Sequence, residues 1–394
     1  MDEKLHSRVN ELADEIISNR RWLHQHAELS FHEIETSKYI RESLEKIGGG
    51  LIITQPTETS VMAVLRTGRP GPVIASRADI DALPMEECNG LPFASQNRGA
   101  MHSCGHDGHA AILLGTAKIL TERQNELCGE IRMIFQHAEE TPPGGAPEVI
   151  AAGVLDGVQE VYGLHLVSVQ KTGSFGIRAG VLTSATDRFD ITVRGAGGHS
   201  SMPYACKDPI TTGAEIIMAL QTILSRRIKA SEQAVISICQ VNAGEAYNII
   251  PDTMTITGSV RTYSAEVRAS IKRMLGEIAQ GVAGAHGASS EYVYSEGYDS
   301  VYNDPKLTEA AEKLIADQFG QENIEHIGLV IPGDDFSTYQ KVCPGFFLEL
   351  GTGNEEKGTT YPHHNPRYLM DEDALPVGVE YMSALLMSRT KMKS

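Results

Sequence analysis

A chain of 394 residues with 41% hydrophobic and 22% charged residues is composed as a globular protein, long enough for two or three domains with substantial cores. Its formal net charge of −17 argues against an electrostatic surface for nucleic acid or anionic membrane, while leaving room for a small basic pocket. No apolar run approaches the ~18 residues of a membrane span, Met1-Asp2-Glu3-Lys4 lacks a signal-peptide profile, and the six cysteines form no C-x-x-C pair, so a cytoplasmic protein with singly acting thiols is expected.

Leu5, Val9, Leu12 and Ile16 recur at helical spacing and predict one opening amphipathic helix. A second helix carries Ile40, Leu44 and Ile47 on one face and stops at Gly48-Gly49-Gly50. His24 and His26 lie between these helices and read as structural residues at a helix end. Residues 60–66 and 72–76 read as strands, the second apolar enough to be buried. That strand runs into Arg77-Ala78-Asp79-Ile80-Asp81-Ala82-Leu83-Pro84. Open α/β sheets place their chemistry beyond the carboxyl ends of strands, although an Asp-rich turn is the plainer reading.

Met101-His102-Ser103-Cys104-Gly105-His106-Asp107-Gly108-His109 follows and leads into an apolar helical stretch over 110–120. A thiolate and an imidazole two positions apart can reach one pocket from a turn, and both are good ligands for a borderline metal. A lone cysteine is usually a small buried hydrophobe, so partners elsewhere in the chain must decide. Residues 129–136 form a third strand, ending at His137-Ala138-Glu139-Glu140. Adjacent carboxylates just past a buried strand are penalised unless a cation or solvent relieves them. Residues 158–166 read as a fourth strand with His165 near its end.

The pattern changes near Asp187, where alternation over 189–193 is followed by Gly198-His199, a helix over about 208–226, strands over 234–241 and 253–263, a helix from Ala265 and a strand over 290–295. The order β-α-β-β-α-β is the ferredoxin-like split unit. The α/β pattern resumes after Tyr298 with a helix over 306–319, a strand over 346–350 and a last helix over 371–387. The expected architecture is therefore an α/β catalytic domain with a mixed sheet (1–186 and 298–394) and an inserted α+β domain (187–297). His363-His364-Asn365-Pro366 lies in a late loop, and on an extended backbone at most one of two adjacent histidines faces a given pocket.

Taken together, Leu23-His24-Gln25-His26, the Arg77–Pro84 run, Cys104-Gly105-His106-Asp107-Gly108-His109, Phe135–Glu140, Gly198-His199, Asn248-Ile249-Ile250-Pro251, Val260-Arg261-Thr262, Gly333-Asp334-Asp335-Phe336 and His364-Asn365-Pro366 resemble the M20 metallopeptidase family over almost the whole chain. The resemblance is to its aminoacylase-like branch, which includes hippurate hydrolases, auxin-conjugate hydrolases and N-acetyldiaminopimelate deacetylases. It implies a dinuclear metal site with Cys104 bridging and His106, Glu140, His165 and His364 completing the two shells. It also implies Glu139 as general base, a lid and dimerisation role for the inserted domain, His199 reaching into an active site of the partner subunit, and Asn248 and Arg261 at the substrate. Three positions depart from the family pattern: His137 stands where proline is usual, Asp334 where glutamate is usual, and the histidine is doubled at 363–364, where the His-x-Pro spacing selects His364.

The residue types suit amide hydrolysis. Water is a poor nucleophile at neutral pH, and two nearby metals can share one, lower its pKa and polarise the acyl oxygen. A carboxylate must take the proton and pass it to the leaving amine, and adjacent glutamates can divide metal binding and base duty. His199 suits an oxyanion, worth ~3 kcal/mol for one donor. Asp79, Asp81, Asp107 and His109 suit support of the ligands by hydrogen bonds. Zinc or manganese is expected first, with cobalt or nickel admissible. The expected reaction is hydrolysis of N-acyl, foremost N-acetyl, amino acids by a homodimer. A dipeptidase or aminopeptidase on the same scaffold, an N-acetyldiaminopimelate deacetylase, a silent binding protein and a thiol redox protein are the alternatives. The absence of a resolving cysteine near Cys104 counts against the last.

Overall fold

The computed structural model of the chain describes residues 2–392, which divide into two compact units. One comprises the chain up to Leu182, Tyr302–Gly328 and the residues from Asp335 on; the other comprises Thr183–Val301 and Leu329–Asp334. Among the described residues no helix is long and apolar enough to cross a membrane.

The first unit is built on a mixed sheet of eight strands: β1 (Ile52–Thr54), β2 (Val61–Arg66), β3 (Val73–Asp79), β4 (Glu130–Gln136), β5 (Glu160–Lys171), β6 (Phe175–Ile177), β7 (Ile324–His326) and β8 (Gly345–Gly353). Their spatial order is β1-β2-β4-β3-β5-β8-β6-β7. β3 runs parallel to both β4 and β5, and β5 parallel to β8, whereas β1-β2, β2-β4 and β8-β6 are antiparallel. β3 is buried along nearly its whole length, as its apolar run requires of a central strand. The helix His106–Glu122 is buried almost all round and packs between the sheet and the helices Ala13–Gln25 and Ala374–Thr390, which explains its lack of a polar face.

The short strands β1, β6 and β7 lie outside the expected elements, and two longer elements differ in extent. The opening helix is two helices, Glu3–Glu11 and Ala13–Gln25, broken at Leu12. Leu5, Val9, Leu12 and Ile16 are all buried, so the apolar stripe persists through the break and hides it from periodicity. The strand holding His165 runs on to Lys171, which places this histidine mid-strand. The pairing explains why the position is still open. β3 pairs with β5 only from Ile74↔Glu160 to Arg77↔Gly163, so beyond Gly163 one edge of β5 has no β3 partner. The site forms in that notch, where a sheet's strand order changes direction.

The second unit is a four-stranded antiparallel sheet in the order Ala234–Ala243, Thr253–Thr262, Ala185–Arg194, Ser289–Glu296. Counting from the first strand this is 2-3-1-4, the ferredoxin-like order. Alternation puts Phe189, Ile191 and Val193 on the buried face, against Ile216 and Leu220 of Pro209–Leu220 and Ile271 and Leu275 of Ala265–Ala285. Asp208 and Ser264 cap these helices through their side chains. The unit starts at Thr183, and it takes in 329–334, because the Ser184 N–H donates to the Val330 carbonyl at 3.0 Å.

Candidate metal centre

Cys104 and His106 flank a residue that must be glycine. Gly105 has φ +93°, and a Cβ there would lie 2.8 Å from the Tyr368 hydroxyl. This left-handed turn starts the helix at His106 and brings Cys104 to the notch beside β5. The Cys104 Sγ is 3.5 Å from His165 Nε2. His165 Nδ1 donates to the Leu166 carbonyl at 2.9 Å, which leaves the Nε2 lone pair facing the thiol.

His106 Nδ1 is 3.1 Å from Asp81 Oδ1, and its Nε2 is 3.8 Å from Glu140 Oε1. Neither His106 Nε2 nor Glu140 Oε1 makes a hydrogen bond, although both are buried, and His364 Nε2 comes within 3.3 Å of the same Glu140 oxygen. Donor atoms of Cys104, His106 and His165, of Cys104, Glu140 and His364, and of His106, Glu139 and Glu140 lie within 4.8 Å of one another. Buried polar atoms without partners are rare, and converging ones of thiol, imidazole and carboxylate type match a borderline divalent cation.

The loop with the two glutamates is held from behind. Ala138 takes a left-handed φ of +51° and donates its N–H to Glu33 at 2.8 Å. The Glu140 N–H donates to Asp81 Oδ2 at 3.0 Å, an oxygen that also accepts from Ser30. Asp79 accepts from His109 Nδ1 at 2.5 Å, and His109 Nε2 accepts from the Leu166 N–H at 2.9 Å, so both nitrogens of His109 are engaged away from an ion. Asp107 turns away as well, to Arg20 at 2.7 Å and His24 at 2.8 Å. Asp81 and Asp107 therefore sit behind the converging donors, whereas Asp79 and His109 form a further group with His106 whose donor atoms lie within 4.8 Å of one another, with His109 already hydrogen-bonded through both nitrogens.

The electrostatics follow from burial and crowded charge. Burial opposes a charge on His106, but Asp79, Asp81 and Glu140 prevail and carry its pKa up to about 10. Burial and the carboxylates of Glu140 and Glu139 push the Cys104 thiol well up. Burial and the neighbouring imidazoles of His109 and His363 push His165 well down. Glu140 raises His364. Divalent cations reverse this pattern, because they stabilise a thiolate and displace the proton from an imidazole. The residues fit such ions.

Both late histidines face the centre, contrary to the expectation that only one would. His364 has φ +59°, so the backbone is not extended there and the alternation of side chains fails. His364 meets Glu140, and His363 Nδ1 lies 3.6 Å from Cys104 Sγ. His24 lies in the last turn of the helix Ala13–Gln25, with His26 as its C-cap, and the buried His24 ring bonds Asp107 and Glu87. In the second unit His199 is exposed and its Nδ1 accepts from Ser201. It pairs with Ile249, beside Asn248, in a short two-stranded ladder. Arg261 is elsewhere in that unit, eight residues along the strand from Thr253, about 26 Å at strand rise, and bonds the Val260 carbonyl. Sequence reasoning missed Glu33, Arg77 and Asp335. Arg77 and Asp335 lie in stretches that carry the family resemblance but received no role there, and Glu33 has no signal beyond its own charge.

Comparison with known proteins accounts for this arrangement. The profile of the peptidase family M20/M25/M40 matches residues 75–388. The chain belongs to that family. As an M20 protein it falls in the aminoacylase-like branch: it is 40% identical over 384 residues to the N-acetylcysteine deacetylase of Bacillus subtilis (98% of this chain, 97% of the relative). It is also 46% identical over 301 residues to the N-acyl-L-amino acid amidohydrolase of Geobacillus stearothermophilus (76% and 81%). Among solved structures it matches the Bacillus subtilis YXEP protein, described as a dinuclear metal binding peptidase of the M20 family, with 38% identity, a TM-score of 0.83 and 98% of each chain covered. The family, the branch and the two-part fold expected from the sequence all hold, and the protein is an M20-type metallo-amidohydrolase.

Proposed function

We propose that the protein hydrolyses the amide bond of N-acyl amino acids, N-acetyl compounds foremost, to a carboxylate and a free amino acid. The observation that carries this reading is the pair of buried, unbonded atoms His106 Nε2 and Glu140 Oε1 beside the Cys104 thiol. Cys104 would bridge two divalent cations, zinc or manganese before cobalt or nickel, with His106, Glu140, His165 and His364 as the remaining ligands. Such ions would acidify a water and polarise the acyl oxygen. Glu139, at the edge of the cluster and only 7% exposed, takes the water's proton and returns it to the leaving nitrogen. Asp81 and Glu33 keep that glutamate in place through the backbone of its loop. The second unit, which contains the inserted residues 187–297, serves as lid and dimerisation domain. His199 meets the oxyanion from the partner subunit with Asn248 beside it at the substrate, and Arg261, at the far end of its strand, contacts the substrate from the other protomer. The enzyme works in the cytoplasm. The relatives that act on N-acetylcysteine and N-acyl-L-amino acids support this substrate class.

The test is release of free amino acid from a panel of N-acyl amino acids and dipeptides by metal-stripped protein reloaded with zinc, manganese, cobalt or nickel. Restored cleavage of N-acetyl substrates with dipeptides spared is the expected result. Preference for dipeptides would move the protein to the peptidase side of its family.

A further inference from the structure

The centre holds one imidazole more than the five-ligand set uses. His363 Nδ1 lies 3.6 Å from Cys104 Sγ, and His363 Nε2 lies 3.4 Å from the backbone nitrogen of Ser168. A backbone N–H can only donate, so Nε2 is the accepting nitrogen and Nδ1 carries the ring proton. That proton is directed at sulfur. The loop is tied down on both sides: Ser168 Oγ donates to the Tyr361 carbonyl at 2.7 Å, and the His364 N–H donates to the Ser103 carbonyl at 2.9 Å. The ring is packed between His165 and Tyr368, with centroids 5.1 and 5.0 Å away. His363 belongs to none of the groups whose donor atoms fall within 4.8 Å of one another, so it is placed to serve the thiol rather than an ion.

We propose that His363 is a positioning residue that donates an Nδ1–H···Sγ hydrogen bond to the Cys104 thiolate of the metal-loaded protein. The inference rests on the reading of Cys104 as a metal-bridging thiolate. A bridging sulfur shares its lone pairs between two cations, and a hydrogen bond to it withdraws electron density and fixes its direction. Hydrogen bonds to cysteine sulfur tune iron–sulfur centres by the same means. Direct ligation by His363 would instead require Nδ1 to lose its proton, and the Ser168 N–H would then lose its acceptor.

The test reads the metal centre rather than turnover. In cobalt-loaded protein, His363→Leu is expected to move the thiolate-to-cobalt charge-transfer band to longer wavelength, weaken cobalt binding by about tenfold and leave the cobalt content per chain unchanged. His363→Asn, whose amide nitrogen falls near the position of Nδ1, is expected to return the band most of the way. In wild-type protein, long-range proton–nitrogen NMR of the ring should show the proton on Nδ1, a readout that needs no variant to fold. An unmoved band in His363→Leu, loss of one cobalt per chain, or an unprotonated Nδ1 overturns the inference while leaving the amidohydrolase reading standing. Absence of the charge-transfer band from wild-type protein would remove Cys104 from the ligand set, and both readings would fall.

Discussion

Arg77 donates from Nη2 to Asp335 Oδ1 at 2.5 Å, joining the last residue but two of β3 to a residue 258 positions later. Its Nη1 donates to Asp79 at 2.6 Å and its Nε to Gln136 at 2.8 Å, and none of the guanidinium is exposed. Asp79 holds His109, while Asp335 accepts from Gln136 and from the Ala146 N–H beyond the glutamate loop. One buried cation therefore ties the histidine side of the centre to the carboxylate side.

Replacing Arg77 by Met leaves two buried carboxylates without their cation, and breaking buried pairs in this way costs about 3–5 kcal/mol. Arg77→Lys is not a conservative change, because a single ammonium cannot reproduce three directed donors. Both variants should lower the urea midpoint, Met more than Lys, and both should weaken zinc binding. Equilibrium unfolding with and without zinc measures both effects.

Glu139→Gln keeps the shape of the side chain and removes its basicity. Metal stoichiometry should stay at the wild-type value while kcat falls by about 10²–10⁴, the usual contribution of a positioned base. Metal analysis beside steady-state kinetics on an N-acetyl amino acid decides it. Near-wild-type kcat would transfer the base role to another group.

The parts of the site that were legible in the sequence are those held by short-range chemistry. Cys104, Gly105 and His106 announce a turn between two metal-seeking side chains, and Glu139 with Glu140 announce a charge in need of a cation. The supports were illegible because their partners are remote: Arg77 with Asp335, His24 with Asp107, Glu33 with Ala138. Periodicity carries no information about such pairs. The orientation of His363 was lost for a different reason, since the left-handed backbone at His364 cancels the alternation used to read it. The fold was more legible, because alternation and helical spacing are local; it is misread where an apolar stripe crosses a break at Leu12 and where β5 outruns β3, and the three-residue strands β1, β6 and β7 are too short to show a pattern.

Gly105→Ala should destabilise the protein by about 1–3 kcal/mol, the range for strained backbone at a functional site. Two costs combine there, the positive φ and the 2.8 Å approach of a Cβ to the Tyr368 hydroxyl. Gly50 separates them, since its φ is +84° and a Cβ there would meet nothing within 4 Å. Chemical denaturation should show Gly105→Ala to be the more harmful of the two, and only that variant should lose metal affinity. Equal effects would mean that Tyr368 moves aside freely.

Glu349 gives the pH dependence its sign. Burial raises its pKa to about 7, against the opposing hydrogen bond from Gln170 and with a smaller push from Glu325. The folded protein thus prefers the protonated side chain, and the unfolded chain ionises near 4.5, the ordinary value for a glutamate. Below pH 4.5 this group's contribution to stability is fully present, and it is lost as pH rises through about 7. The loss is on the order of 3 kcal/mol at 1.4 kcal/mol per pKa unit. Glu349→Gln cannot ionise, so its urea stability should change less between pH 5 and pH 8 than that of the wild type, and it should be the more stable protein at pH 8. If the two proteins respond to pH in parallel, Glu349 is already ionised at pH 5 and its burial is relieved by solvent.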